Sequence, residues 1–142
     1  MCTRTKERGT GGVTILIVDD SEAIRTRLVT LMGEVPGAKV VGQAETVAQA
    51  IASLRRFKPH AMILDLRLPD GNGLEVLRLV QEERIPTAVI VLTNYPHPQY
   101  EKRARAAGAY AFLNKARDFP RIVTLLQDLV SGKPPPAPVE TA

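Results

Sequence analysis

Polar side chains suited to metal and phosphate chemistry stand at or just past the ends of four apolar runs. They are Asp19 with Asp20, Asp65, Thr93 and Lys115. Three carboxylates brought together repel one another unless a cation lies between them. Mg²⁺ takes oxygen ligands in an octahedron, so it is the natural occupant of such a site. Beside that ion a carboxylate can attack phosphorus, while an ammonium and a hydroxyl stabilise the developing charge. These residue types therefore predict a Mg²⁺-dependent aspartyl phosphate, provided that the fold brings them together.

Each of these residues also has a structural alternative. An aspartate after a strand commonly serves a turn or a cap, and Asp19 and Asp20 precede a helix whose free amides they could bind. Capping needs only one or two acids, whereas an adjacent pair at a buried strand end repels itself. Capping and a cation site both stay open for that pair. Thr93 alone could be an ordinary strand end and Lys115 a surface lysine. The chemical interpretation depends on all four strand ends offering a suitable group.

The elements that must position these residues follow from hydrophobic periodicity. Nearly continuous apolar runs predict buried parallel strands at 13–18, 39–44, 60–65, 87–92 and 109–113, the second of them a less buried edge. Apolar residues at helical spacing predict five helices between and after them. The fourth, about 99–107, is charged and alanine-rich with a thin apolar face.

This alternation predicts an α/β fold with a doubly wound five-stranded parallel sheet, right-handed crossovers and five helices. For this number of strands the flavodoxin-like order 2-1-3-4-5 is favoured. In that order the first and third strands are central neighbours, so Asp19, Asp20 and Asp65 converge at one edge of the sheet. Thr93 then lies beside them, and Lys115 lies at the next strand.

Length and composition fit one globular domain. The chain has 142 residues, of which 44% are hydrophobic and 24% charged. Residues 1–12 are predicted to be a disordered tail and residues 131–142 a proline-rich tail or linker, leaving a domain at 13–130. The glycines at positions 9, 11 and 12 precede the first strand, whereas a phosphate-binding loop follows a strand. We therefore do not interpret them as a nucleotide site.

The same composition argues against membrane and nucleic-acid functions. No apolar run approaches the roughly 18 residues of a membrane span, and no secretion signal is evident. The single cysteine, Cys2, is compatible with a cytoplasmic location. The net charge of +4 is scattered along the chain, and only 4% of residues are aromatic. We therefore expect no direct nucleic-acid binding by this chain.

Several short segments together resemble the receiver domain of bacterial two-component response regulators. They are Ile17-Val18-Asp19-Asp20, Ile63-Leu64-Asp65 with Pro69-Asp70-Gly71, Val91-Leu92-Thr93, and Gly108-Ala109 leading to Phe112-Leu113-Asn114-Lys115. The resemblance extends from about residue 13 to residue 130. Each motif is common by itself, but the set is specific.

The resemblance implies a role for each matched residue. Asp65 would be the phosphoacceptor, and Asp20 and Asp65 would hold Mg²⁺ with the backbone carbonyl of Arg67. Asp19 would assist through water. Lys115 would contact the phosphoryl group.

Thr93 and Phe112 would form the switch pair, Phe112 lacking the hydroxyl of the frequent tyrosine. Asn94 stands where a small residue usually leaves room for the phosphodonor. Arg67 and Tyr95, each two residues past a site residue, would flank the route of attacking water. We expect them to slow self-dephosphorylation.

The function implied is a signalling phosphoacceptor that takes a phosphoryl group from a histidine kinase or phosphotransfer protein. It would not be an enzyme beyond catalysing its own phosphorylation and dephosphorylation. Its output would be an effector protein or self-association, through the fourth helix, fifth strand and fifth helix.

Two alternatives remain at this stage. One is a receiver-like interaction module that is not phosphorylated, although none of the expected residues is missing. The other is a phosphatase like the haloacid-dehalogenase superfamily. Those enzymes have an aspartate two residues after the nucleophile, where this chain has Arg67.

Overall fold

The computed structural model describes residues 12–94 and 97–132. The predicted tails lie outside the described residues except for Gly12, Ser131 and Gly132. Tyr95 lies outside them as well.

A five-stranded parallel sheet forms the centre of the domain. Its strands are β1 (Val13–Val18), β2 (Ala38–Ala44), β3 (Ala61–Leu64), β4 (Ala88–Thr93) and β5 (Ala111–Asn114). They lie in the order β2-β1-β3-β4-β5, which confirms the predicted topology. After β3, the two-residue strands Arg67–Leu68 and Gly71–Asn72 form a small antiparallel hairpin, to which we give no number.

Five helices connect and follow the strands. They are α1 (Glu22–Met32), α2 (Val47–Phe57), α3 (Gly73–Glu82), α4 (Pro98–Ala106) and α5 (Phe119–Val130). The first three begin at side-chain caps that accept backbone hydrogen bonds, namely Ser21, Thr46 and Asn72. Such caps satisfy amides that have no partner within the helix.

The helices cover both faces of the sheet because the strands are apolar on both faces. Ile15 and Ile17 of β1 belong to the core on the side of α1 and α5. Leu16 and Val18 alternate with them and belong to the core on the side of α2, α3 and α4. All four side chains are almost completely buried. This two-sided core holds the carboxyl ends of the strands at one edge.

The two predicted weak points of the packing are present. β2 is an edge strand with mostly half-exposed residues. Within α4, all of which is described, Ala104 is the buried residue. Among the described helices, none has the length and apolar character that a membrane crossing requires.

Candidate functional site

The predicted acidic residues meet at the carboxyl edge of β1 and β3. Val18 pairs with Leu64 in the parallel register of these strands, so the residues that follow them are neighbours. The amide of Asp65 donates to the carbonyl of Val18 at 3.0 Å. Carboxylate oxygens of Asp19, Asp20 and Asp65 lie within 4.8 Å of one another.

The ammonium of Lys115 lies between two of these carboxylates. Its Nζ is 2.6 Å from Oδ2 of Asp19 and 3.0 Å from Oδ2 of Asp65. Lys115 is 9% exposed, Asp19 2% and Asp65 6%, so the cluster is largely removed from water. The backbone amide of Lys115 donates to the carbonyl of Thr93 at 2.9 Å, which anchors the lysine to the end of β4. The residue that follows β5 thus places a buried positive charge beside the acids that follow β1 and β3.

Burial sets the direction of the pKa shifts in this cluster. Desolvation raises the pKa of Asp65, and the charge of Asp19 adds to it, although the charge and hydrogen bond of Lys115 oppose the shift. For Lys115, desolvation lowers the pKa, but the bonds and charges of Asp19 and Asp65 outweigh it, and the pKa is raised. Lys115 therefore stays charged, while the carboxylate of Asp65 carries an unfavourable desolvation cost.

Backbone amides fix the other oxygens of the two buried acids. Oδ1 of Asp65 accepts from the amide of Arg67 at 3.3 Å, and Oδ1 of Asp19 accepts from the amide of Ser21 at 2.9 Å. Asp20 is exposed, so its carboxylate faces the water from which a hydrated ion would arrive. Three carboxylates at this spacing fit Mg²⁺, which prefers hard oxygen ligands and retains several waters.

Thr93 and Phe112, the predicted switch pair, are both buried, at 0% and 8% exposure. Phe112 belongs to the core under α2, α3 and α4. Asn94 is exposed next to Thr93.

A cavity of about 380 Å³ lies between α4 and the hairpin in the loop that follows Asp65. Its lining includes Arg67, Asn72, Thr93 and Tyr100.

Sequence reasoning missed three residues that shape this site. Arg25 is buried and donates from Nη1 to the carbonyl of Asp19 at 2.7 Å. Asp70 accepts two amides at the start of α2. A Cβ on Gly73 would lie 2.4 Å from the carbonyl oxygen of Asp65, so only glycine fits there. Arg25 carries a weak signal, a charged residue on the apolar side of α1 beside Ile24 and Leu28.

Comparison with known proteins agrees with this architecture. The family model of the response regulator receiver domain matches residues 15–127. DNA-binding transcriptional activator DevR/DosR of Mycobacterium tuberculosis is 34% identical over 121 residues, covering 85% of this chain and 56% of that protein. Response regulator GacA of Pseudomonas protegens is 26% identical over 121 residues, covering 85% of this chain and 57% of its own. The chain thus spans little more than half the length of these curated relatives.

Solved structures have the same fold. The signal receiver domain of NarL from Mycobacterium tuberculosis superposes with a TM-score of 0.78 at 27% identity, covering 86% of this chain and 98% of that one. The response regulator domain of Thermotoga maritima CheB superposes with a TM-score of 0.77 at 25% identity, covering 87% and 99% respectively.

Proposed function

The chain belongs to the family of response regulator receiver domains, and from that premise we propose that Asp65 is its phosphoacceptor. The observation that carries the proposal is the buried contact of Lys115 with Asp65 beside Asp19 and Asp20. Receiver domains are signalling modules rather than metabolic enzymes. The chemistry proposed here is accordingly limited to the chain's own phosphorylation and dephosphorylation.

One oxygen of the Asp65 carboxylate attacks the phosphorus of the donor. A bond from that oxygen to phosphorus forms as the bond from phosphorus to the donor's leaving atom breaks, and the leaving group keeps the electron pair. Asp20, Asp65 and the carbonyl of Arg67 would hold Mg²⁺, with Asp19 acting through water, and the bound ion would supply positive charge at the phosphoryl oxygens. The donor enters through the cavity beside Arg67 and Asn72.

Lys115 and Thr93 stabilise the product. The Lys115 ammonium, 3.0 Å from Oδ2 of Asp65, is placed to turn towards a new phosphoryl oxygen without leaving the site. The hydroxyl of Thr93, at the neighbouring strand end, donates to another. Because the phosphoryl group accepts these bonds, it favours the arrangement with Phe112 buried. Phosphorylation then shifts the population of a two-state element rather than creating a new fold.

The proposed donors are a histidine kinase or a phosphotransfer protein, in the cytoplasm. The proposed output surface is α4, β5 and α5, which would bind an effector protein or a second copy of the chain. α4 can move with little loss of packing energy because the residue that it buries is the small side chain of Ala104. DevR/DosR is named as a DNA-binding protein. For this chain we propose output through protein contacts.

Of the two alternatives, the phosphatase has the weaker support. The residue two positions after Asp65 is Arg67, whose amide binds Oδ1 of Asp65, and no carboxylate stands there to act as acid or base. A receiver-like module that is not phosphorylated remains the competing proposal.

Intact-mass spectrometry after incubation with acetyl phosphate and Mg²⁺ separates these proposals. We expect a single phosphoryl adduct on the unmodified chain, and none with Asp65→Asn or in the presence of a Mg²⁺ chelator. Asp128→Asn, on α5, is the matched control and should keep the adduct. An equal yield in Asp65→Asn would contradict the site. No adduct on the unmodified chain would favour the interaction module.

The output surface is tested with beryllofluoride, which mimics a phosphoryl group. Amide exchange and sedimentation are compared with and without it. We expect slowed exchange in α4, β5 and α5 together with self-association or partner binding. Protection confined to the loops around Asp65, with no change in association, would refute the proposed switch.

A further inference from the structure

Residues 43–48, which run from the end of β2 through its connection into the first turn of α2, contact both loops that carry the acids. On the β1 side the link is Arg25 of α1, which donates to the carbonyl of Asp19 at 2.7 Å. The same guanidinium donates from Nε to Oε1 of Gln43 at 3.1 Å and lies 3.6 Å from a carboxylate oxygen of Glu45. Arg25 is 9% exposed, so its bond to Asp19 is sheltered from water. The backbone that leads into Asp20 is therefore tied to the end of β2.

On the β3 side the link is Asp70, which lies in the turn of the small hairpin. Its Oδ1 accepts from the amide of Val47 at 2.7 Å, and its Oδ2 accepts from the amide of Ala48 at 3.1 Å. The bond from Val47 is the main reason why the pKa of Asp70 is lowered, because it stabilises the ionised form. The loop after Asp65 is thus attached to the first turn of α2.

The start of α2 does not depend on Asp70 alone. A helix leaves four amides without partners at its first turn. Thr46 supplies the cap, its hydroxyl accepting from Gln49 at 3.0 Å and its carbonyl from Ala50 at 2.9 Å. Asp70, from another part of the chain, takes two more of these amides, those of Val47 and Ala48. Its bonds therefore hold a distant loop as well as the helix.

The attachment of Asp70 reaches the metal site through the hairpin. Arg67 pairs with Asn72 across it, and the amide of Arg67 also binds Oδ1 of Asp65 at 3.3 Å. Gly71 lies against α2, since a Cβ there would be 3.4 Å from a methyl of Val47. A loop released at Asp70 would carry Arg67 away from its present position.

We propose that residues 43–48 act as a brace that holds the β1 loop and the β3 loop at the spacing required for Mg²⁺. Arg25 and Asp70 are its two positioning residues. The inference rests on the proposed function in one respect, namely that Mg²⁺ binds among Asp19, Asp20 and Asp65. Neither Arg25 nor Asp70 is assigned to the ion itself.

The first test uses the metal-free protein and compares two substitutions at the start of the same helix. Asp70→Ala removes the attachment of the brace to the β3 loop, whereas Thr46→Ala removes the side-chain cap of α2, which bonds to Gln49 within the helix. Amide exchange is followed by mass spectrometry in residues 65–72. We expect faster exchange in residues 65–72 in Asp70→Ala and unchanged exchange there in Thr46→Ala. Both variants should reduce the protection of the amides of α2. Equal exchange in the two variants would overturn the proposal.

The second test measures Mg²⁺ binding by calorimetry at neutral pH without a phosphodonor. We expect the dissociation constant to rise about tenfold in Asp70→Ala, the lower end for outer partners of metal ligands. Thr46→Ala should leave it unchanged. Asp70→Asn keeps one accepting oxygen and should give an intermediate value. If Mg²⁺ affinity follows the stability of α2 across the three variants, Asp70 is merely structural and the brace is refuted.

The Arg25 side is tested in the same titration. Arg25→Met removes a positive charge near the acids, which by charge alone would strengthen Mg²⁺ binding. The brace predicts weaker binding, with partial rescue in Arg25→Lys. Stronger binding in Arg25→Met would refute this side of the proposal. If the variants change Mg²⁺ binding as expected but the unmodified chain accepts no phosphoryl group, the brace is supported and the proposed function is refuted.

Discussion

Replacing Lys115 with methionine tests the electrostatics of the site most directly. Methionine has a similar length but no charge, so Asp19 and Asp65 lose the ammonium that lies 2.6 Å and 3.0 Å from them. Both carboxylates are buried, with exposures of 2% and 6%. Removing one partner of a buried ion pair costs about 3–5 kcal/mol, because the remaining charge is left uncompensated. We expect a loss of that size in the free energy of unfolding of the metal-free protein at pH 7.

The loss should depend on pH in a defined direction. Burial already raises the pKa of Asp65 above its usual value of 3.8, and the lysine opposes that shift. Without the lysine the folded state binds a proton still more tightly than the unfolded state. A raised pKa stabilises the fold below the unfolded value, and the stability is lost as the pH rises through the folded pKa. The free energy of unfolding of Lys115→Met should therefore be closest to that of the unmodified protein near pH 3, and the difference should grow as the pH rises.

Mg²⁺ should rescue this variant because it neutralises the same carboxylates. At a concentration 100 times the dissociation constant, a ligand adds about 2.7 kcal/mol of stability. Without competition from the ammonium, Lys115→Met should bind Mg²⁺ more tightly and gain more stability than the unmodified chain. Urea unfolding with and without MgCl₂ measures both effects.

Lys102→Met, at an exposed position of α4, is the matched control and should change stability by no more than about 0.5 kcal/mol. A loss in Lys115→Met as small as this would refute the electrostatic account. A Mg²⁺ response no larger than that of the unmodified chain would refute it as well.

Three further predictions concern the same edge of the sheet. Asp65→Asn should be more stable than the unmodified protein at pH 7 without metal, because it removes a carboxylate whose pKa is raised. The difference in free energy of unfolding, measured with urea, should disappear near pH 3, and a difference that does not change with pH would contradict this. Gly73→Ala should lower the free energy of unfolding by about 1–3 kcal/mol, because its Cβ would lie 2.4 Å from the carbonyl oxygen of Asp65. The control Gly33→Ala, whose Cβ would lie 3.2 Å from its nearest neighbour, should lower it less in the same assay. Arg67→Asn should shorten the half-life of the phosphorylated chain, followed by intact mass, because a smaller side chain at the cavity admits water to Asp65; an unchanged decay rate would show that Arg67 does not shield it.

Most of the fold follows from local features of the sequence. Strands buried on both faces must be continuously apolar, and helices that cover them must be apolar at helical spacing, so runs such as those ending at Val18 and Leu64 are visible without a structure. The alternation of strand and helix, with right-handed crossovers, leaves few topologies. The observed strand order confirms the predicted one. Asp19, Asp20 and Asp65 were therefore predictable as neighbours.

The contacts that adjust the site depended on tertiary structure. Nothing local to Lys115 indicates that its ammonium is buried between Asp19 and Asp65 rather than solvated at the surface. Asp70 and Arg25 act across sequence separations of 22 and 18 residues to Ala48 and Gln43.

Such contacts are set by strand register, by the path of each loop and by the reach of one rotamer, none of which leaves a periodic pattern. The burial of Phe112 is decided in the same way, since a residue of a parallel strand can fill the core only if the neighbouring helix leaves room for it. The sequence by itself determined which chemical groups meet at the edge of this sheet. Only the folded chain decided which of them are paired, buried and held apart, because pairing and burial depend on distances between segments that are remote along the chain.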